Sequence, residues 1–568
     1  VVATFVLASA LVGGCRRSSP PPFANDAAVA EAPVPAPDGL VVEAIVRAPD
    51  AIFEGLHAAS ALVPTTAAPA LTDLLHVDRD VADEVDGGKP ASFLLARRQA
   101  TNLYVLCLKL RDQGRAQAAL SKVLARREDP ALGLVIFEAS GATAGPRTQV
   151  LALRGGFLLA ASSVEALAAL APYATRTMPT RPLPSEEIAI TLPKSGLRGP
   201  LREALRTAID EGAARRKLLV EKSKAGAVAT AAPSVGLIEV LSEYFARSNA
   251  RVLGWLDDAD DARVTISTRG GAIAVRGELD AAPGSRLAQE VASWSVGDGT
   301  IALDVPAAAT LAFASRASDA TRAEASRDLS AVIGALFPAD LDPAARAKLD
   351  AWLSSWDAAR GLETTGAVIY GGPSRFGVTL RLEAKDSPAL AKLLRDGLRS
   401  ILALRGVGSG LEKNGIKIPA IATEKIAGLE ATVLSIKLPK GKASSAEPDS
   451  VEIVWAPIPG AVALVAGAGA RALLGEIVSA GPTLATTARP REAVAALGPS
   501  LSGIVVALPG RVVPIIGGSE VLAQAPPDDP VVFAIGRGVK GPRFALDVSK
   551  QALELAGRFA LRTLIAGP

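Results

Sequence analysis

Cysteine, histidine and methionine are nearly missing from this sequence of 568 residues, which holds 2, 2 and 1 of them. Two cysteines, Cys15 and Cys107, build no disulfide framework. The histidines are His57 in "FEGLHAAS" and His76 in "LLHVDRD". They leave few places for a Ser–His–Asp site, and no second His or Cys stands near either to make a zinc set. Gly-x-Ser-x-Gly and Ser-x-x-Lys are both absent, and the serine of "GVGSG" (406–410) is misplaced for a nucleophile elbow. Aromatic residues make up 4%, poor stock for stacking bases or sugars. A dominant charge is lacking too. Lys+Arg number 61 and Asp+Glu 58, which gives no electrostatic footprint for nucleic acid.

What is present is aliphatic. Hydrophobic residues reach 49%, a globular composition, and the length calls for more than one domain. The opening run "VVATFVLASALV" carries no charge and is too short to span a bilayer. It leads into Gly13, Gly14 and Cys15, then "RRSSPPPFANDAAVAEAPVPAPDG". Val12-Gly13-Gly14-Cys15 resembles the lipobox of bacterial lipoproteins. The resemblance implies cleavage between Gly14 and Cys15, a diacylglycerol on the Cys15 sulfur and acylation of the new amine. Several acyl chains would give stable anchoring in the membrane. Arg16 follows where the enterobacterial inner-membrane signal has Asp, so the resemblance implies the outer membrane, facing the periplasm or the cell surface. The positive n-region of a signal peptide is not in this sequence, which opens on Val1, and the expected reason is a start upstream. The proline- and alanine-rich stretch 15–39 reads as a semi-rigid tether.

Residues 40–568 read as a duplication. "LYVLCLKLRDQGRAQAALSKVL" (103–124) matches "FGVTLRLEAKDSPALAKLLRDGL" (376–398): an alternating strand, an Asp (Asp112, Asp386), then helical spacing. Each Asp suits a helix N-cap. "TQVLALRGGFLLAASSVEALAAL" (148–170) matches "VEIVWAPIPGAVALVAGAGARALLGEI" (451–477), with turns at Gly155-Gly156 and Pro459-Gly460. Residues 186–197 match 502–513, and 272–294 match 542–561. The strand–Asp–helix unit is thus expected about four times. The first copy carries extra helical sequence near 197–250, the second an extra loop near 405–450. The expected fold is α+β: two tandem modules of antiparallel sheet with helices on one face, 40–296 and 297–568, after a signal peptide 1–14 and the tether 15–39. The boundary falls near Gly297-Asp298-Gly299. This layout resembles uncharacterised bacterial extracytoplasmic proteins built from repeated hairpin–Asp–helix modules, a resemblance that implies no catalytic residue.

Other features are weaker. "LTDLLHVDRDVADEVDGGKP" (71–90) crowds acids, Asp78 and Asp80 among them, but its Gly87 follows the acids and the spacing is not that of a calcium loop. "LDDADDAR" (256–263), with Asp257, Asp258, Asp260 and Asp261, reads as a charged loop before the hairpin "RVTISTRGGAIAVRG". These six acids are weak metal candidates, and no metal or cofactor is expected. Gly467-x-Gly469-x-x-Ala472 imitates a dinucleotide fingerprint, but the first copy has no glycine at that step, so close helix–strand packing is expected instead. The uncharged stretch Ile453–Ala470 is broken by Pro457, Pro459 and Gly460 and reads as a hairpin rather than a membrane span. "REALRTAIDEGAARRKLLVEKSKAG" (202–226) reads as a basic amphipathic helix with Leu205, Ile209 and Ala213 as its buried stripe. The functional expectation is a lipid-anchored, non-enzymatic envelope protein that binds a partner or supports an assembly. The alternatives are a carrier of a lipid or other apolar ligand in a sheet/helix cavity and, more remotely, a carboxylate-based hydrolase.

Overall fold

The computed structural model describes residues 31–60, 63–99, 101–138, 149–226, 246–337, 340–371, 375–413, 415–437, 450–479, 481–511 and 528–555. The expected signal peptide, Cys15 and most of the expected tether lie outside them. The chain divides into two compact units. The first comprises residues 1–204, 256–282 and 546–568, the second 205–255 and 283–545. Gly297-Asp298-Gly299 lies inside the second unit, where Gly297 and Leu501 exchange backbone hydrogen bonds of 2.9 and 3.0 Å.

The first unit contains strands β1 (Leu40–Val46), β2 (Ala91–Arg98), β3 (Thr101–Lys109), β4 (Ala125–Asp129), β5 (Leu134–Glu138), β6 (Val150–Arg154), β7 (Phe157–Ala161), β8 (Ile188–Pro193), β9 (Ala259–Ser267) and β10 (Ile273–Ala281). They pair antiparallel in the order β4-β5-β6-β7-β3-β2-β1-β8-β9-β10. The second unit contains β11 (Ala309–Arg316), β12 (Arg360–Tyr370), β13 (Phe376–Ala384), β14 (Ile421–Ile426), β15 (Leu429–Lys437), β16 (Ser450–Ile458), β17 (Ala461–Ala468), β18 (Leu501–Ala507) and β19 (Val531–Arg537), and β20 (Pro542–Val548) begins in it. Their order is β14-β15-β16-β17-β13-β12-β11-β18-β19-β20. Ten strands later in the chain, each step of the first unit recurs.

Helices fall at matching steps. In the first unit, α1 (Pro49–Ala59) and α2 (Ala67–Leu75) link β1 to β2, α3 (Gln113–Leu120) follows β3, and α4 (Val164–Arg176) follows β7. Beyond β8 come α5 (Arg202–Gly226), a helix over 246–258 (α6) and, after β10, α7 (Arg286–Ala292), all three almost wholly within the second unit. In the second unit, α8 (Asp319–Leu336) and α9 (Pro343–Ala359) link β11 to β12, α10 (Ser387–Leu402) and α11 (Arg405–Lys413) follow β13, and α12 (Ala470–Val478) and α13 (Ala488–Ala495) follow β17. Asp112 and Asp386 cap α3 and α10, accepting the N–H groups of Arg115 and Ala389 at 3.0 Å each. Each satisfies a donor that a helix start leaves without an intrahelical partner. α10 then turns Leu390, Ala391, Leu394 and Leu398 onto one face, against Trp455 and Val462.

The α+β class and the antiparallel sheets agree with expectation; other readings need correcting. Helices take both faces of the sheet, not one. Along β7, Leu159 and Ala161 pack with α4 while Leu158 and Ala160 pack with α2 and α3. Along β17, Ala463 and Val465 pack with α12 while Val462 and Leu464 pack with α10. Strands apolar on both sides need two layers of cover. Asp280 and Asp547, in the fourth pair of matched segments, lie within strands and face Arg263 and Arg276, so strand–Asp–helix occurs there only as Ser285 and Ser549 at the helix starts. Residues 421–437, expected within an extra loop, form the hairpin β14–β15, counterpart of β4–β5.

The tether ends earlier than its composition suggests. Glu31 meets Arg154 at 2.9 Å and Arg176 at 3.1 Å. The Thr177 hydroxyl accepts from the Val34 N–H at 2.8 Å and donates to the Val34 carbonyl at 2.7 Å. Val34 packs on the core beneath α4. An extended proline-rich chain keeps unpaired backbone groups, and here side chains at the end of α4 take them up.

Candidate binding site

A pocket of about 260 Å³ lies within the second unit. α6 supplies Ser248, Arg251, Val252 and Trp255, whose i, i+3, i+4, i+7 spacing puts all four on one helix face. Trp294 and Ser295 follow the end of α7, Arg316 ends β11, Ser318 and Thr321 begin α8, and Ser502 lies on β18. The Trp255 and Trp294 rings sit 5.9 Å apart at 55°, a tilted aromatic corner.

Carboxylates behind the surface hold the polar groups. Glu290 accepts from Arg251 Nε at 2.8 Å and from Trp255 Nε1 at 3.2 Å. A further Arg251 nitrogen is 2.7 Å from the same carboxylate, and Glu324 stands 3.7 Å away. Arg316 pairs with Glu363 at 2.9 Å and donates to the Asp298 carbonyl at 2.9 Å. Its guanidinium lies where a side chain at position 297 would begin: a Cβ on Gly297 would be 2.6 Å from Arg316 Cζ, so any larger residue there would displace the guanidinium. Ser318 caps α8 and its hydroxyl lies 3.0 Å from that of Thr321. The Ser502 hydroxyl donates to the Ile535 carbonyl at 3.2 Å. The pocket therefore sets guanidinium N–H groups and hydroxyl oxygens beside two indole rings, with each guanidinium already matched by an acid.

The six acids singled out in the sequence are not gathered at this pocket. Asp78 and Asp80 flank the start of a short helix, Arg79–Ala82, and Asp80 meets Lys122 at 3.4 Å. The segment 256–263 is the end of α6 and the start of β9, not a loop. Asp257 pairs with Arg202 at 2.8 Å, Asp260 with Lys194 at 2.7 Å and Asp261 with Arg263 at 3.6 Å. The Asp258 carbonyl accepts from Ala282. Among the described residues, no three His, Cys, Asp or Glu side chains form a group able to hold a metal.

His57 Nδ1 lies 2.6 Å from the Val63 carbonyl, and His76 is a left-handed C-cap of α2. Cys107 is buried, and burial pushes its thiol up to about 12. Ile453–Ala470 forms β16, β17 and their turn. Gly467 serves strand–strand contact rather than the expected helix–strand packing, for a Cβ there would be 2.1 Å from the Phe376 carbonyl of β13. Gly469 is the left-handed N-cap of α12. On α5, Leu205 and Ile209 are only half-buried and Ala213 is exposed, so the expected stripe has little cover. Arg215 and Lys217 are exposed. Sequence reasoning missed Trp255 and Trp294. The available signal was the Ser248-Arg251-Val252-Trp255 spacing in sequence read only as extra helix.

No family model, curated protein or solved structure matches the chain.

Proposed function

We propose that the protein is a lipid-anchored protein of the bacterial cell envelope, held through acyl chains on Cys15, and that it acts by binding rather than by catalysis. The observation that carries this reading is the order of features at the amino-terminal end. An uncharged run meets small residues and Cys15, a proline-rich stretch follows, and the chain joins the folded body at Glu31. Fifteen residues, 16–30, then separate the lipidated cysteine from the body. The pocket in the second unit supports a binding role, since its two guanidiniums are held in place by carboxylates beside two indole rings. Five hydroxyls and two guanidiniums line it beside two indole rings, a mixed surface that suits a polar ligand with an apolar face, and the carrier of a lipid takes second place. The placement that goes with the reading is the outer membrane, facing the periplasm or the cell surface.

Cys15→Ala tests the anchor. The variant should leave the membrane fraction and appear in the soluble fraction at high salt. If it stays with the membrane, the anchoring is not through Cys15 and the reading fails.

A further inference from the structure

We propose that the pocket of the second unit binds a neutral saccharide ring. The inference rests on the binding role just proposed and adds the chemical class of the ligand.

Three observations lead to it. The first is the pairing of aromatic and hydrogen-bonding walls. Trp255 and Trp294 meet at 55°, and Arg251, Arg316, Ser318, Thr321 and Ser502 line the same pocket. An aromatic face carries negative charge density and attracts the weakly positive C–H edge of its partner. A sugar ring presents such C–H groups on its faces and hydroxyls around its rim. Those hydroxyls are acceptors for guanidinium N–H groups and exchange hydrogen bonds with serine and threonine. A lipid chain would leave the guanidinium N–H groups not taken up by Glu290, Glu363 and the Asp298 carbonyl without partners, which is costly wherever they are closed off from water. The scarcity of aromatics argued against sugar stacking at the level of composition, yet two of the chain's 5 tryptophans line this one pocket.

The second observation is charge. Two arginines would ordinarily suggest an anion such as a phosphate or a sugar acid. Here Arg251 is matched by Glu290 with Glu324 near, and Arg316 by Glu363. An incoming anion would meet compensated cations with three carboxylates close behind, and like charges at such range repel. A neutral polyol gains the donors without that penalty. The carboxylates also fix the guanidiniums before the ligand arrives, which lowers the ordering cost of binding.

The third observation is size. A pocket of about 260 Å³ falls just under the range of roughly 300–1,000 Å³ that holds drug-sized ligands. It suits one ring, with the rest of a chain outside.

The test uses the full-length protein in a detergent without a sugar headgroup. Tryptophan fluorescence and ligand-observed saturation-transfer NMR are recorded with chitotriose and maltotriose as neutral probes, and with glucuronate and inorganic phosphate as anionic ones. At least one neutral trisaccharide should bind with Kd of about 1 mM or tighter. Trp294→Ala should weaken it about tenfold or more, and Trp294→Phe should keep most of the affinity. Ser502→Tyr, which fills the pocket, should abolish it, with circular dichroism confirming that each variant is folded. Tighter binding of phosphate or glucuronate would overturn the saccharide while leaving a binding protein. Affinity untouched by both Trp294→Ala and Ser502→Tyr would place the sugar elsewhere and overturn the pocket. Binding of none of the four probes would also overturn the inference. Anchoring is judged separately by the fractionation of Cys15→Ala, so the two failures can be told apart.

Discussion

The two units treat the same corner of their common strand order in opposite ways. In each, the end of one strand runs into a helix beside the start of its neighbouring strand: β1, α1 and β8 in the first, β11, α8 and β18 in the second. In the first unit that corner is closed. The Arg47 N–H donates to the Glu187 carbonyl at 2.8 Å, and Arg269 Nε donates to the Glu187 carboxylate at 2.8 Å. The β9–β10 turn presses on α1 so closely that a Cβ on Gly55 would be 2.3 Å from the Thr268 carbonyl. In the second unit the corner holds Arg316, Ser318 and Ser502, and it is open as part of the pocket. Strand order is what both copies need for a core. The surface at one corner is free to differ: in one copy Arg269 and Glu187 close it, and in the other Arg316, paired with Glu363, lines a pocket.

The largest effect that sharpens this comparison is in the cores. Counting from the hairpin turns, Leu151 of β6 and Trp455 of β16 occupy the same position, opposite Ala160 and Leu464. Leu151 is 3% exposed and packs with α3; Trp455 is 1% exposed and donates from Nε1 to the Ala391 carbonyl of α10 at 3.1 Å. Trp455→Ala should cost about 3–5 kcal/mol and Leu151→Ala about 2–5 kcal/mol in urea unfolding. A loss under about 1 kcal/mol at either site would mean that the equivalent position is not core in that unit.

The next effect belongs to the closed corner alone. Burial by itself would raise the Glu187 carboxyl, but hydrogen bonds from Arg269, Ser267 and the Thr268 N–H outweigh it and hold the group below the ordinary glutamate value. A carboxyl depressed on folding contributes stability that is complete above its unfolded value, about 4.3. That contribution disappears as pH falls through the lower folded value. Urea midpoints of the wild type and Glu187→Gln should therefore differ at pH 7 and converge below about pH 4. A constant difference from pH 7 to pH 3 would contradict the arrangement. The smallest effect is shared. Asp112→Ala and Asp386→Ala should each cost about 1 kcal/mol, since both lose one capping hydrogen bond of the same length. A clear loss in one and none in the other would break the equivalence of the two units at that step.

Much of this architecture is legible in the sequence wherever a strand is apolar on the faces it buries. "LYVLCLKL" and "FGVTLRLEA" alternate, and their capping aspartates mark the helix starts, so β3–α3 and β13–α10 emerge together. The hairpins β6–β7 and β16–β17 emerge because glycines punctuate them. β4, "ARRED", and β14, "IATEKI", stay hidden because they are short, charged and exposed, with no alternation to mark them. The acids of 256–263 suggest a loop because a strand seldom begins with four of them. Here Asp257 and Asp258 end α6, and the two acids that enter β9, Asp260 and Asp261, meet Lys194 and Arg263. The docked segment from Glu31 is invisible because its partners, Arg154, Arg176 and Thr177, lie more than a hundred residues away. The pocket is hidden for the same reason: α6, the end of α7, β11, α8 and β18 each bring only one to four of its residues.

The measurement that bears most directly on the account is the intact mass of the protein's amino terminus, taken from protein extracted out of bacterial membranes. The account expects a chain that begins at Cys15 and carries a diacylglycerol and an amide-linked acyl group. An unmodified Cys15, or a chain that still includes Val12–Gly14, would contradict it.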